Sequence, residues 1–481
     1  MSLAKTAASG GTELLPEVLA FTSSLADDRP LVLADIVGSL AHVRMLEAQG
    51  IVPAATATAI AGGLARLARA EAAGTLVLPP EEDVHMAVET ALVADIGAPA
   101  KALHAARSRN DQVALDLRLF VRERIAVALD ALAELIAELV AQARAADGVL
   151  LPSYTHRQRA QPISLAFLLA GYAQMFARDV ETFRFVHTQV DASPLGAGAS
   201  SGTSLPIDRD RVRAALGFSR VTASALDTVG DRDFALDLAY ATAKLLVHTS
   251  RVATDLVDFA SVEFGFVQLS SGIACGSSMM PHKRNPDLFE LLRGKTGAGL
   301  GALAQLLVTL KGLPFGYNRD QQEDRGPIFT ACRLAEQAPR MLVLGLRNIT
   351  FDRARCRQAL EEDVTQATDV AEALVARGVA FRDSHAIVGG LVAACKANGW
   401  SLLDVPPAEA AAIDPRLTPE VLAACELERA VAAKSSAGGT APARVAEQLA
   451  ALDRTVAEAR TFAATIPRLD ALWTQLSGGT P

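Results

Sequence analysis

Aromatic side chains are scarce in this chain of 481 residues. Phe, Tyr and Trp together make up 5% of it, while half of all residues are hydrophobic. A large core must therefore be filled by Ala, Leu, Val and Ile. Ala and Leu favour helix, so a mostly α fold is expected. Cysteine is scarce too. Cys275, Cys332, Cys356, Cys395 and Cys425 are odd in number and form no CxxC pair, which argues against a disulfide framework and against a zinc site. Positive charge is not in excess. The formal charge of −8 lacks the basic field of a general nucleic-acid binder, yet leaves room for a local basic pocket that captures an acidic substrate. No stretch of about twenty residues is free of charge, so no membrane span is expected. The first residues, MSLAKTAASGGTELLPE, have no apolar run of the secretory kind. A cytoplasmic enzyme or scaffold fits these absences, and the length suits two or three domains.

The apolar residues that are present follow a helical period. Residues 1–30 read as loop, and 31–72 as helix broken near Gly50 to Pro53. In 117–145, Ile125, Leu129, Leu132, Ile136 and Leu139 recur in steps of three and four, which places them on one stripe of one long helix. Leu300, Leu303, Leu307 and Leu310 repeat the theme within 287–311, and a third apolar stretch runs from about Asp231 to Phe264. Three long striped helices predict a bundle. Their length exceeds what one chain's core needs, so the bundle is expected to continue across subunits. A large monomeric helical domain is the alternative. The Pro-rich stretch 404–418 reads as a loop in a smaller C-terminal helical domain, and the terminal SGGTP as frayed.

Four polar, Gly/Pro-rich segments interrupt the helices: HAARSRNDQ (104–112), SYTHRQRAQP (153–162), SPLGAGASSGTSLP (193–206) and GSSMMPHKRNP (276–286). Chemistry concentrates on loops held by a rigid scaffold, and a bundle could bring their ends together. Arg107 and Arg109, with Ser108, Asn110 and Asp111, suit an anion-binding loop before a helix. A solvated helix cap with Asn110 or Asp111 as N-cap is the plainer reading. His156 lies beside Thr155, Arg157 and Arg159, whose charges favour its neutral form; a structural histidine is the alternative. The 193–206 segment spaces its glycines as GxGxxxG, which excludes the dinucleotide fingerprint, and a tight surface turn is expected there. Glu82, Asp83 and His85 could ligate a metal, but no partner motif accompanies them; a supporting role for Asp83 and His85 is expected, with no metal. Lys283 and Asn285 can donate to a carboxylate or oxyanion, and the glycines around Ser277 and Ser278 allow closure over a substrate.

GSSMMPHKRNP resembles the signature GSSxMPxKxNP of the aspartase/fumarase superfamily, whose members eliminate fumarate from substituted succinates. Within it the chain is most similar to argininosuccinate lyases, through EDVHMAVETAL, HAARSRNDQVALDLRLF, YTHRQRAQP, SPLGAGASSGTSLPIDRDRV, GDRDFALDL and YNRDQQED. The similarity covers roughly residues 20–445. It implies an all-α, three-domain subunit with a central bundle of long helices, assembling into a homotetramer with a 20-helix core and active sites shared between subunits. The domains expected are 1–106, 107–355 and 356–481. The activity implied is reversible, cofactor-free cleavage of L-argininosuccinate to L-arginine and fumarate. By motif position Ser277 is the general base, His156 the general acid or its orienting group, and Glu290 the partner that polarises His156. Lys283 and Asn285 hold the fumaryl carboxylate and its developing charge. Ser108, Arg109, Asn110 and Thr155 bind the succinyl carboxylates. Tyr317, Gln322 and Arg325 contact the rest of the substrate, with Ser24 a further contact and Asp83, His85 and Arg232 in support.

Four departures bear on substrate identity. His282 and Arg284 stand where the family usually has Gln and Lys. Ala106 replaces a glycine. Arg157 fills the helical position after His156, usually apolar. Arg325 stands where Lys is common. They leave two alternatives: a related C–N lyase acting on another N-substituted aspartate, or a non-catalytic, crystallin-like paralogue.

Overall fold

The computed structural model describes residues 15–146 and 148–478. The first fourteen residues, read above as loop without a signal, and the last three of the frayed tail lie outside the described residues. Five long helices form the centre: Arg109–Ala145, Leu165–Val190, Asp233–Phe259, Asp287–Leu310 and Arg325–Arg347. They pack on one another, and Pro442–Thr465 lies along the first two. The strands among the described residues form two-stranded ladders only. The fold is all-α, as the composition requires.

The sequence pattern announces three of the five bundle helices. Arg325–Arg347 hides behind Gly326, Pro327 and Pro339, which read as breakers. Pro327 falls in the first turn, where a missing N–H leaves no helical bond unmade. Leu165–Val190 follows at once on a polar strand, and is started by Ser164, whose side chain accepts from the Phe167 N–H at 3.1 Å. Two expected loops also hold short helices, Pro16–Thr22 and Pro407–Ile413, both opened by proline.

The longest helix begins at Arg109, not at 117 as expected. Ser108 is its N-cap, correcting the reading of Asn110 or Asp111. The Ser108 side chain accepts from the Asn110 N–H at 3.3 Å, and Asp111 Oδ1 accepts from the Ser108 N–H at 2.9 Å. This reciprocal box satisfies two donors that the helix leaves open. With 37 residues and a rise of 1.5 Å per residue the helix is about 55 Å long. Its stripe, Ile125, Leu129, Leu132, Ile136 and Leu139, is fully buried.

The hydrophobic cores do not follow the chain in simple blocks. A small core contains Val370, Leu374, Leu391, Leu402 and Val421. Val445, Leu452, Trp473 and their neighbours join the main core instead. The expected 356–481 unit therefore contributes to both. On Asp287–Leu310, Leu291, Leu300, Leu307 and Val308 are exposed in the single chain, an apolar surface on one of the bundle helices.

Candidate active site

At one end of the bundle, the 104–112 and 193–206 segments meet. Asp111 Oδ2 accepts the N–H groups of Gly196 at 3.0 Å and Gly198 at 2.8 Å, and Asn110 Nδ2 donates to the Ala199 carbonyl at 2.9 Å. Residues 193–198 are thereby buried, while 199–206 stay mostly exposed, so the expected surface turn holds for the second half only. Gly198 has φ of +62°, and a Cβ there would stand 2.7 Å from the Gly202 carbonyl oxygen, so only glycine fits without strain. Ala106, where the family has glycine, adopts the same left-handed region at φ 58°. Alanine carries strain in that conformation.

Arg109 is half-buried. Its Nη1 donates to Gln112 at 2.9 Å, and its Nε lies 3.4 Å from Asp83 Oδ2. Asp83 in turn caps Val84–Ile96, accepting from the Met86 N–H at 2.7 Å. Beneath this, His85 is wholly buried between two carboxylates, its Nδ1 lying 3.2 Å from Asp35 and 2.9 Å from Asp116. Burial alone would lower the His85 pKa, but the bonds to Asp116 and Asp35 outweigh it and push it up to about 10. Burial, followed by the charge of Asp35, also raises the Asp116 carboxyl. Buried Arg107, donating to Ser39 at 2.9 Å, completes a quartet of two cations and two anions. The ligand atoms of Asp35, His85 and Asp116 lie within 4.8 Å of one another. That spacing could hold a cation, a role the imidazolium proton and Arg107 already fill.

The same end holds a second buried chain. Ser24 Oγ donates to Asp28 at 2.5 Å, and Arg325 bridges Asp28 at 3.0 Å and Asp324 at 2.6 Å. Arg232 Nε donates to Asp324 at 2.5 Å. Gln322 Nε2 donates to the Thr22 carbonyl at 2.8 Å, and half-buried Tyr317 precedes it on the same segment. Burial raises the Tyr317 phenol.

The opposite end carries Thr155 and His156. Leu150–Thr155 and Gln158–Ser164 pair antiparallel, with Thr155 opposite Gln158. His156 and Arg157 form the two-residue turn, at φ of 52° and 58°. Positive φ at both central positions is the primed hairpin geometry that matches strand twist. Arg157 is thus a turn residue, not helical as expected, and Thr155 and His156 stand exposed at the tip. Arg157 Nη2 donates to Asp258 at 2.7 Å.

GSSMMPHKRNP leaves the bundle at the N-terminus of Asp287–Leu310. Its base is closed by the pairs Cys275–Asn285 and Gly276–Arg284, and Asp287 Oδ2 accepts from the Cys275 N–H at 3.0 Å. Ser277 Oγ accepts the N–H groups of Met279 at 3.3 Å and Met280 at 3.0 Å. Two amide dipoles thus point at the oxygen on which a catalytic base would carry charge. Lys283 is exposed and Asn285 half-exposed on the same loop. The exposed Glu290 carboxylate lies 3.9 Å from Arg293. Among the described residues it makes no bond to His156, the partner expected for it.

Within one chain the two groups stay apart. Asp287–Leu310 has 24 residues, so about 36 Å of helix separates the Ser277 loop from Tyr317 and Gln322. The Arg109 helix separates Ser108 from the His156 hairpin by still more. One chain carries the two groups of candidate residues at opposite ends.

The buried acids Asp28, Asp35, Asp116 and Asp324 escaped the sequence reading. For Asp35 and Asp116 the signal is an acidic residue inside a run that is otherwise buried, which demands a paired partner; Asp28 and Asp324 stand among polar, partly exposed neighbours and carry no such signal.

Comparison with known proteins accords with these segments. The family described as Lyase matches residues 16–301, and the argininosuccinate lyase C-terminal family matches 364–432. An argininosuccinate lyase from Synechococcus sp. (strain JA-3-3Ab) is 45% identical over 91% of this chain and 90% of its own. The chain belongs to the argininosuccinate lyase family. A second argininosuccinate lyase, from Symbiobacterium thermophilum, is 43% identical over 89% of this chain and 94% of its own. Among solved structures, an EDDS lyase in complex with formate superposes with a TM-score of 0.80 at 24% identity, covering 96% of this chain and 97% of its own. Class II fumarase from Schistosoma mansoni gives 0.70 at 16%, covering 83% and 90%. At such identities these two speak for the fold alone. The family's relatives do not favour the two alternatives left open by the sequence. The small core around Leu374 and Leu391 falls in the family's C-terminal match.

Proposed function

We propose that this protein cleaves L-argininosuccinate reversibly to L-arginine and fumarate, by general acid–base elimination, as a cytoplasmic homotetramer. Membership of the family supports the reaction. The observation that carries the mechanism is the Ser277 oxygen held by the Met279 and Met280 amides, on the loop that bears Lys283 and Asn285.

Ser277 removes a proton from the carbon next to a succinyl carboxylate. The electrons of that C–H bond enter the carboxylate as a doubly charged intermediate. Charge at this stage is the main barrier, and fixed donors lower it most. Lys283 and Asn285 supply them. The C–N bond then breaks, the new double bond forms fumarate, and the leaving nitrogen takes a proton from His156 or a group that His156 orients. Ser108, Arg109, Asn110 and Thr155 would grip the carboxylates, and Tyr317 and Gln322 the remainder of the substrate.

Assembly follows from the same geometry. Half-sites some tens of ångströms apart in one chain are useful only if a second copy brings its opposite end alongside, and exposed Leu300 and Leu307 offer the seam. Glu290 and His156 lie at the same end of their own chain, so pairing Glu290 of one subunit with His156 of another takes a third copy.

The test follows fumarate release from a panel of N-succinyl compounds with purified protein. Fast turnover of another adduct with negligible turnover of argininosuccinate would sink this reading. Ser277→Ala is expected to lower kcat by about a thousandfold or more with binding retained. Near wild-type kcat would remove Ser277 as the base.

A further inference from the structure

The proton donor at His156 has nothing of its own to aim it. Among the described residues its imidazole makes no hydrogen bond or ion pair, and it stands exposed at the hairpin tip. Its direction is set by the backbone of the turn. That turn is strained. His156 and Arg157 have φ of 52° and 58°, a region in which a Cβ crowds the following carbonyl. Hairpin turns of this kind recruit Asn-Gly for that reason. A tip built from His and Arg keeps its shape only if its surroundings hold it there.

The strands beneath the turn are anchored. The Tyr154 ring packs on Phe264 and Phe259, with centroids 5.4 and 6.3 Å apart. Arg159 Nη1 donates to the Ala359 carbonyl at 2.8 Å. Neither contact touches the turn. Among the described residues, the side-chain bond that leaves the turn itself is the one from Arg157 Nη2 to Asp258 Oδ2, at 2.7 Å. Asp258 belongs to Asp233–Phe259, a bundle helix of 27 residues, so this bond ties the tip to a rigid element. An apolar side chain, usual at this position in the family, has no bond to give Asp258.

We propose that Arg157 is a positioning residue, which through its bond to Asp258 fixes the turn that aims the His156 ring. This deepens the reading of His156 as the acid, or as the group that orients it, and rests on that reading. The bond is a modest one. The Arg157 side chain is 75% exposed and that of Asp258 31%, and exposed pairs are weak and screened by salt. Its effect belongs in kcat, because a wandering turn loses the productive geometry of proton transfer and not the grip on the substrate.

The experiment measures kcat and KM for argininosuccinate cleavage by the full-length enzyme, at low and at high potassium chloride. The variants are Arg157→Met, Asp258→Asn, the two combined, and His156→Asn. Arg157→Met and Asp258→Asn are each expected to lower kcat about two- to fivefold at low salt, with KM within about twofold of wild type. The combined variant should be no worse than the worse single one. Salt should bring the wild-type kcat down towards that of Arg157→Met, which should itself respond little. A change in stability alone would not produce that convergence. A rise in KM with Arg157→Met beside an unaltered Asp258→Asn would overturn the proposal, since it would make Arg157 a substrate ligand. So would multiplicative losses in the combined variant, or a salt response shared by wild type and Arg157→Met. Asp258→Asn keeps the size of the side chain, so it decides the matter even if Arg157→Met fails to fold; wild-type kcat in Asp258→Asn defeats the idea. A large loss in His156→Asn beside that result would overturn the role of Arg157 alone. Wild-type kcat in His156→Asn would sink the reading of His156 and the proposal with it.

Discussion

Ala106→Gly is expected to stabilise this protein, against the usual cost of adding glycine. Ala106 has φ of 58°, where the Cβ of an L-residue crowds the following carbonyl at a cost of roughly 1–2 kcal/mol. Glycine removes that strain. It also loosens the unfolded chain, which costs about 0.4–1 kcal/mol. The difference favours the variant by about 0.5–1 kcal/mol. The neighbouring Ala105→Gly is the control. Its φ of −57° and ψ of 132° suit alanine, so glycine there brings the entropic cost with no strain to relieve. Thermal midpoints of the two variants and wild type, at one scan rate and one protein concentration, make the comparison. The order expected is Ala106→Gly above wild type above Ala105→Gly. If Ala106→Gly melts no higher than Ala105→Gly, the left-handed conformation at 106 is wrong, and with it the path of the chain into Arg107 and Ser108.

Two further outcomes test the core and the assembly. His85→Leu leaves Asp35 and Asp116 facing each other without the imidazolium between them and should cost about 3–5 kcal/mol, with part of the loss recovered by adding Asp116→Asn. In wild type the folded His85 pKa of about 10 exceeds its ordinary 6.5. Its stabilisation is therefore complete below about pH 6.5 and fades as pH rises toward 10. Denaturation midpoints at neutral and high pH should show that decline; a wild-type midpoint that rises over this range refutes the buried imidazolium. Leu300→Glu with Leu307→Glu places charge on the exposed face of Asp287–Leu310 and should yield smaller species in sedimentation with lost activity, while helix content by circular dichroism persists. A variant that sediments and reacts as wild type would show that this face is not the seam.

What could be read along the chain was whatever depends on neighbours in sequence. The apolar stripe from Ile125 to Leu139, the helical class and the Gly/Pro-rich interruptions all follow from local spacing, and GSSMMPHKRNP identified the superfamily because its residues are contiguous. Helices broken on paper by proline, as at Pro327 and Pro339, were missed because whether a proline interrupts depends on its place in the turn and on packing around it. The acids Asp28, Asp35, Asp116 and Asp324 acquire meaning only from partners far along the chain, brought together by the bundle. Spacing likewise could not tell that Ser277 would turn its oxygen toward two amides of its own loop, nor that Gln322 would reach Thr22 and Arg325 the Asp28 that Ser24 bonds. Sequence determined which chemical groups the protein carries and the period on which it folds. Tertiary structure decided which groups share an end, because only rigid helices tens of ångströms long set Ser277 and His156 at one pole and Ser108 and Gln322 at the other.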